Sequence, residues 1–236
     1  MKDELGKKQF FITPAHACSY LPEREANTLF LDPRDTITPA TYQTLTEQGF
    51  RRSGSHLYRP HCAGCQACIP ARVPVATFRP RRRQRRVLAR NADLTVELKP
   101  AVYSHEYYEL YGKYITGRHR DGDMYPPSAA QFRSFLLSQW SETLFVCLYL
   151  GKTLLAVAVT DQQEGGFSAI YTFFDSDFPA RSLGVMSILK QIELCQKLEL
   201  PYVYLGYWIR DSEKMRYKTE YRPVELFISG RWITVN

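Results

Sequence analysis

The rhythm of hydrophobic and polar positions changes part-way along this chain. Up to about residue 75 no period is sustained, and prolines at 14, 22, 33, 39, 60, 70 and 74 break the pattern. One helix is predicted inside that stretch, over residues 40–48, with Thr38 as its cap, Pro39 in its first turn and Gly49 ending it. Short strands are predicted at 56–59 and 69–75. From residue 94 the pattern is regular. Residues 94–98 alternate as a strand, and Tyr107, Leu110, Tyr111, Tyr114 and Ile115 recur at helical spacing over 104–116. A loop at 117–127 precedes Ser128 and Gln131, a capping-box pair, with Phe132, Phe135 and Leu136 as the next buried face. Residues 144–150 and 153–160 read as a hairpin around Gly151-Lys152, followed by a strand at 167–174. A long helix is predicted at 182–198, with Val185, Ile188, Leu189, Ile192 and Cys195 facing inward. Residues 201–209 are almost wholly apolar, the signature of a strand buried on both faces. A short helix near 212–217 and strands at 224–228 and 232–235 close the chain.

That order of elements predicts an α+β fold. From residue 94 onward it resembles the Gcn5-type N-acetyltransferase-like acyltransferase fold, preceded by a small cysteine-containing N-terminal module. The expected division is a module over residues 1–78, an arginine-rich connector over 79–93 and the acyltransferase-like domain over 94–236. The segment Arg181-Ser182-Leu183-Gly184-Val185-Met186 resembles the loop that holds a pyrophosphate against a helix N-terminus in that fold. Met186 stands where its last small residue is expected, which argues against ordinary acetyl-coenzyme A.

Composition narrows the classes. The 236 residues are 44% hydrophobic and 14% aromatic, enough for one large core and unlike a disordered chain. Net charge is +7, and seven of the twelve residues from Arg79 to Arg90 are arginine, which points to an anionic, phosphate-bearing partner. The alternative is a solvated helix that serves solubility. Met1–Lys8 lacks the apolar core of a signal peptide, and the apolar runs at 144–150 and 154–159 are too short to span a bilayer. A cytoplasmic protein without a membrane partner is expected.

Three of the six cysteines stand as Cys62-Ala63-Gly64-Cys65-Gln66-Ala67-Cys68, and Cys18 is the nearest candidate for a fourth. In a reducing compartment this spacing suggests gathered thiolates rather than disulfides. An iron–sulfur cluster or a structural zinc, with His61 or His16 as a further ligand, fits it, as do reduced structural thiols in a tight turn.

Several segments together are similar to one family. They are Cys18-Ser19-Tyr20-Leu21-Pro22-Glu23-Arg24, Gly49-Phe50-Arg51-Arg52-Ser53-Gly54, Tyr58-Arg59-Pro60-His61-Cys62 and Cys68-Ile69-Pro70-Ala71-Arg72-Val73. The second half adds Arg118-His119, Gly122, Met124, Tyr202-Val203-Tyr204-Leu205-Gly206-Tyr207-Trp208-Ile209, Lys214-Met215, Tyr217-Lys218 and Pro223-Val224-Glu225. The set resembles the bacterial aspartate/glutamate leucyltransferases, relatives of the eukaryotic arginyl-tRNA–protein transferases. The resemblance implies transfer of leucine from leucyl-tRNA to proteins with N-terminal Asp or Glu, which marks them for degradation. It implies no cofactor for the transfer itself. Where eukaryotic relatives carry Cys-Gly-Tyr-Cys, this chain has Cys18-Ser19-Tyr20-Leu21, so any cluster would have a different ligand arrangement.

The chemistry is attack of a neutral α-amine on an activated ester, for which positioning, proton handling and oxyanion donors suffice. In the acyltransferase fold it takes place where two central strands splay, here 167–174 and 201–209. Tyr171, Asp175, Tyr204 and Tyr207 are the expected catalytic cleft residues. Arg118, Lys214 and Lys218 are expected to meet the acceptor's acidic side chain with His119, while Trp208, Met215 or Phe173 line the leucyl pocket. Arg79, Arg81, Arg82, Arg83, Arg85, Arg86, Arg90 and Arg181 are expected at tRNA phosphates. The competing readings are a coenzyme-A-dependent N-acetyltransferase and a non-enzymatic metal- or cluster-containing nucleic-acid-binding sensor. Oligomeric state is not legible.

Overall fold

Helix starts follow the hydroxyls that can cap them. In the computed structural model, which describes Gly6 and residues 8–236, Thr38 Oγ1 accepts from the Thr41 amide (3.1 Å) and opens α1 (Pro39–Glu47). After α2 (Arg82–Arg90), Ser104 caps α3 (His105–Arg118) through the Tyr107 amide. Ser128 caps α4 (Ala129–Leu136) through the Gln131 amide. The expected capping box closes on one side only, because Gln131 Oε1 accepts from the Tyr111 hydroxyl instead (2.9 Å). The last long helix is α5 (Leu183–Lys197). The expectation about Met1–Lys8 falls largely outside the described residues.

Fourteen strands are described. In the N-terminal part, β1 (Phe10–Ile12), β4 (Thr28–Leu31), β5 (Arg51–Ser53) and β6 (His56–Pro60) form a four-stranded sheet in the order β1-β4-β6-β5. Two short strands, β2 (His16–Ala17) and β3 (Glu25–Ala26), pair beside it. The main sheet contains β7 (Ile69–Pro74), β8 (Leu94–Pro100), β9 (Glu142–Leu150), β10 (Thr153–Gln163), β11 (Gly166–Phe174), β12 (Tyr202–Trp208), β13 (Val224–Ile228) and β14 (Arg231–Val235). Its order is β14-β13-β7-β12-β11-β10-β9-β8.

Both faces of that sheet are covered, which explains its long apolar runs. On one face α5 and α2 bury Val73, Val87, Leu155, Phe167, Ile192 and Val203. On the other, α3 and α4 bury Tyr111, Ile115, Phe132, Phe145 and Phe173. The fold is mixed α and β, as expected, but the division expected at residue 78 does not follow the sheets. β7 lies inside residues 1–78, yet it sits between β13 and β12 in the main sheet. Its partners pair with it from Tyr202 and from Glu225 onward, far downstream in sequence, a pairing no local pattern announces.

A buried polar cluster fastens the smaller sheet to the larger one. Arg52 and Asp161 pair at 2.6 Å with no side-chain exposure on either partner. Asp161 Oδ2 accepts from the Tyr42 hydroxyl (2.6 Å), and its Oδ1 accepts from Thr143 Oγ1 (2.7 Å). The rest of the guanidinium donates to Gly54 O (3.0 Å) and Leu136 O (3.3 Å). Removing one partner leaves the other charge buried and unpaired. Asp161→Asn should therefore cost about 3–5 kcal/mol, read as a lower urea midpoint; a loss under about 1 kcal/mol would mean the apolar contacts alone hold the module.

Candidate active site

The parallel pair β11–β12 is joined for only three residue pairs, Gly166 with Tyr202, Phe167 with Val203 and Ser168 with Tyr204. Gly166 permits this start: its φ is +131°, and a Cβ there would lie 1.9 Å from the Tyr202 carbonyl oxygen. Beyond Ser168 the strands part, leaving backbone groups of both without ladder partners. Arg51 enters this gap from β5. Its Nη1 donates to Ser168 Oγ (2.8 Å) and Tyr204 O (3.5 Å), and its Nη2 donates to Ala169 O. Gly206 (φ +83°) makes room, since a Cβ there would meet Arg51 Nε at 3.3 Å.

Over the mouth of the gap, the chain after β12 folds back as a short 3-10 turn, Arg216–Glu220. The Trp208 indole donates to Arg216 O (3.2 Å) and fastens that turn. Lys218 on the turn is buried, 4% exposed, with its Nζ donating to Met215 Sδ (3.3 Å) and lying 4.6 Å from the Tyr217 ring centre. Burial, with Arg51 as the second cause, lowers its ammonium to about 7. Lys218, expected to meet the acceptor's acidic side chain, thus lies buried where Arg118 and Lys214 are exposed. Tyr217 is 37% exposed as a residue, yet desolvation of its hydroxyl end, with Tyr114 adding to it, pushes that hydroxyl up to about 12.

The end of α3 forms another wall. The Tyr114 ring packs tilted against His119 (5.1 Å) and Phe174 (4.8 Å) and meets Tyr171 edge-on (6.2 Å). Arg118 lies over Phe174 (5.5 Å), and Lys214 approaches Asp121 at 3.8 Å. Burial lowers the His119 imidazolium, and Lys214 and Arg118 lower it further against Asp121. The cleft thus gathers Tyr171, Arg118, His119, Trp208, Lys214, Met215 and Lys218 from the expected set.

Four other expected catalytic or cleft residues have different surroundings. The Tyr207 hydroxyl donates to Gly49 O (2.9 Å) and Tyr58 O (3.3 Å), joining β12 to the smaller sheet. The Tyr204 hydroxyl accepts from Arg72 Nη1 (3.4 Å), in a cluster where Arg72 also pairs with Glu225 (2.7 Å) and stacks over Tyr202 and Trp232. Asp175 is held by Lys113 (2.6 Å). Phe173 packs edge-on to Tyr111 (5.7 Å) in the core and lines no pocket. Arg51 and Tyr114 are cleft residues not singled out beforehand as site residues. Arg51 was visible only as part of a motif, and Tyr114 only as a core-facing position of a helix.

Comparison with known proteins identifies the family. The model of the arginine-tRNA-protein transferase N terminus matches residues 16–86, and that of its C terminus matches residues 106–228. The chain belongs to the arginine-tRNA-protein transferase family. Its relatives include an aspartate/glutamate leucyltransferase of Alcanivorax borkumensis, 58% identical over 97% of this chain and 95% of the relative. One of the same name from Pseudomonas putida is 53% identical over 99% of each. Among solved structures, the C-terminal DUF2156 domain of an Agrobacterium fabrum protein assigned as a lysylphosphatidylglycerol synthetase shares the fold. Its TM-score is 0.51 at 14% identity, covering 84% of this chain and 64% of that one. As a member of the family the chain is an aminoacyltransferase.

In this family member the arginine tract is helical and largely solvent-facing. Arg79, Arg81, Arg82, Arg83, Arg85, Arg86 and Arg90 are exposed, while Gln84 and Val87 turn inward. Arg181 differs from them. Its fork pairs with both carboxylate oxygens of Asp93 (2.8 Å each), and Asn91 Oδ1 accepts from it at 3.3 Å. It ties the start of α5 to the end of α2 instead of standing free for phosphate. Met186, which stands where the pyrophosphate loop was expected to carry a small residue, is 1% exposed and packs in the core. Among the described residues no helix is long and apolar enough to cross a membrane.

The cysteines converge without forming a metal centre. Burial first, then Cys18, Cys62 and Cys65, push the Cys68 thiol up to about 12. Cys62, Cys65 and Cys68 line a cavity of about 390 Å³ together with His61, Tyr207 and Phe227. Cys65 Sγ accepts from Arg24 Nη1 (3.2 Å), and Cys62 Sγ donates to Asn27 O (3.6 Å). Among the described residues no group of three or more His, Cys, Asp or Glu is placed to hold a metal ion. Their arrangement gives no support to a cluster or zinc at this place. The Ala67 amide, with Arg24, lowers the Cys65 thiol. Iodoacetamide near neutral pH should accordingly label Cys65 before Cys68, Cys147 or Cys195 in peptide mass mapping. Equal labelling of Cys65 and Cys68 would contradict this placement.

Proposed function

We propose that the chain moves leucine from leucyl-tRNA to the N-terminus of proteins that begin with Asp or Glu, marking them for degradation in the cytoplasm. The observation that carries this reading is the agreement between relatives of that name at 53–58% identity over nearly the whole chain and the cleft at the splayed strands. We read the architecture as a Gcn5-type acyltransferase-like domain with the N-terminal module docked on it. The transfer uses no cofactor in this scheme. A cluster or zinc at Cys18, Cys62, Cys65 and Cys68 gains no support from their arrangement.

In this reading the leucyl ester lies along the gap between β11 and β12, its side chain against Trp208 and Met215. The acceptor's carboxylate is met by Arg118 and Lys214 at the cleft rim, beside an imidazole that burial keeps largely neutral. The Tyr171 hydroxyl, held protonated by burial, can donate to the oxyanion of the tetrahedral intermediate. Tyr204, Tyr207 and Asp175 keep these walls in place from behind. A free α-amine with a pKa of about 7.7–8.0 supplies a useful neutral fraction at cellular pH.

The exposed arginines of α2 are positioned for tRNA phosphates. They stand beside the start of α5, with Arg90 donating to Ala180 O. Contacts of this kind weaken steeply with salt and read little sequence.

Radiolabelled leucyl-tRNA mixed with the protein should label peptides that begin with Asp or Glu and spare one that begins with Ala. Label on no peptide, with folded protein, would remove this reading. Protection by acetyl-coenzyme A in a thermal shift would favour an N-acetyltransferase instead. Replacing Arg82, Arg83, Arg85 and Arg86 with glutamine should raise KM for leucyl-tRNA at least about tenfold and lower its salt dependence, while KM for peptide stays within about twofold. Equal increases in both constants would assign the tract to folding.

A further inference from the structure

Lys218 is a buried titratable group at the cleft that the transfer scheme above leaves without a task. Its side chain is 4% exposed, and among the described residues no carboxylate forms an ion pair with it. What surrounds the amine is soft or positive. Met215 Sδ lies at 3.3 Å, and the Tyr217 ring centre at 4.6 Å. From β5, Arg51 faces it as a fixed cation, pinned on Ser168 and Ala169 inside the gap. From α3, Tyr114 faces the same turn through Tyr217, and both hydroxyls are kept protonated by burial. Such a pocket serves poorly as a seat for a permanent ammonium ion. It suits an amine that is neutral at rest and charged only in passing.

We propose that Lys218 is the proton acceptor of the transfer step. The inference rests on the aminoacyl-transfer reading above. The acceptor's α-amine attacks the ester carbonyl carbon, a C–N bond forms, and the carbonyl π electrons move to its oxygen. The neutral Lys218 amine takes the proton that the attacking nitrogen now carries in excess. The tetrahedral intermediate then collapses, the C–O bond to the terminal ribose breaks, and the ammonium of Lys218 returns that proton to the departing ribose oxygen. The net change is one amide formed, one ester cleaved and Lys218 neutral again.

Burial and Arg51, in that order, give the lysine an ammonium near 7, so the neutral form predominates above that pH. Arg51 acts through Lys218 as a positioning residue and touches no reacting atom in this scheme. Lysine as a cation for the acceptor's acidic side chain is the rival role for the same residue, and the two roles respond differently to substitution. Arginine keeps the positive charge and cannot act as a base. Methionine keeps the bulk and has neither property.

The test is single-turnover transfer from leucyl-tRNA to a peptide beginning with Asp, with wild-type, K218M and K218R proteins from about pH 5.5 to about pH 9. In the wild type the logarithm of kcat/KM should climb on the acid side with a limiting slope of two, because Lys218 and the peptide amine must both lose a proton. Both variants should lose at least about 100-fold in kcat, hold KM for the peptide within about threefold, and show a slope of one. Thermal melts should place K218M no lower than the wild type, since no buried amine then needs desolvation. K218R with wild-type kcat would overturn the proposal, as would losses confined to KM for acidic peptides with the slope unchanged. A wild type that transfers nothing would instead remove the transfer reading itself.

Discussion

The cleft depends on where one short strand puts two consecutive arginines. In β5, Arg52 enters the main sheet to meet Asp161, and Arg51 enters the gap between β11 and β12. Desolvating a guanidinium and a carboxylate costs several kcal/mol per ion, so such a pair survives only when nearly every donor and acceptor is used. Here the requirement is met by Tyr42, Thr143, Gly54 and Leu136 around the pair, and by Ser168, Ala169 and Tyr204 around Arg51. Another register of β5 would leave two buried charges without partners. The pair therefore specifies how the N-terminal sheet docks, and the position of Arg51 follows from it.

That placement answers a problem created by the splay. Parallel strands that part leave carbonyl groups without ladder partners, and buried polar groups without partners cost free energy. In a fold built to open at this point, something must occupy the inner end of the gap. A guanidinium supplies several donors in one plane and a positive potential, and among the described residues no carboxylate forms an ion pair with Arg51. Burial, with Arg51 adding to it, loosens the proton on Lys218, while burial holds the protons of Tyr217 and Tyr207 against the opposing pull of Arg51. The structural repair and the chemical setting come from the same side chain.

The readable parts of the sequence were those set by local chemistry. Thr38, Ser104 and Ser128 fixed three helix starts because a cap acts within three residues. The apolar run at 201–209 marked a central strand because burial on both faces leaves no alternation to hide it. The four-stranded N-terminal sheet escaped, because β1 has three residues and pairs with β4 some twenty positions later. The same distance effect hid β7 in a segment expected to belong to the module. Among the site residues, Arg118, His119, Met215 and Lys218 were found through a family pattern, while their environments were not. Tyr204 and Tyr207 lie three residues apart across a register shift in β12, and hydroxyls on a central strand look alike in sequence whether they face a cleft or a neighbouring sheet. Lys218 and Arg181 show the same limit for charge. One is buried without a counter-ion and the other is consumed by Asp93, and nothing within a few residues of either tells them apart from a free cation.

This division of charge bears on donor selection. The exposed cations lie along α2 and at the cleft rim, whereas Arg51 has its guanidinium committed to Ser168, Ala169 and Tyr204. Charge on α2 can draw in any tRNA, because all tRNAs carry the same phosphates. Distinguishing leucine from arginine or phenylalanine must then fall to the shape and polarity of the cleft floor. In the scheme proposed above, a leucyl side chain brings no charge there, while an arginyl side chain would bring a second guanidinium towards Arg51, which among the described residues has no ion-pair partner. Repulsion of that kind rejects a cationic donor without any contact made specifically to leucine. An aromatic donor has to be refused by volume alone, through the packing of Trp208, Met215 and Tyr217 over the gap.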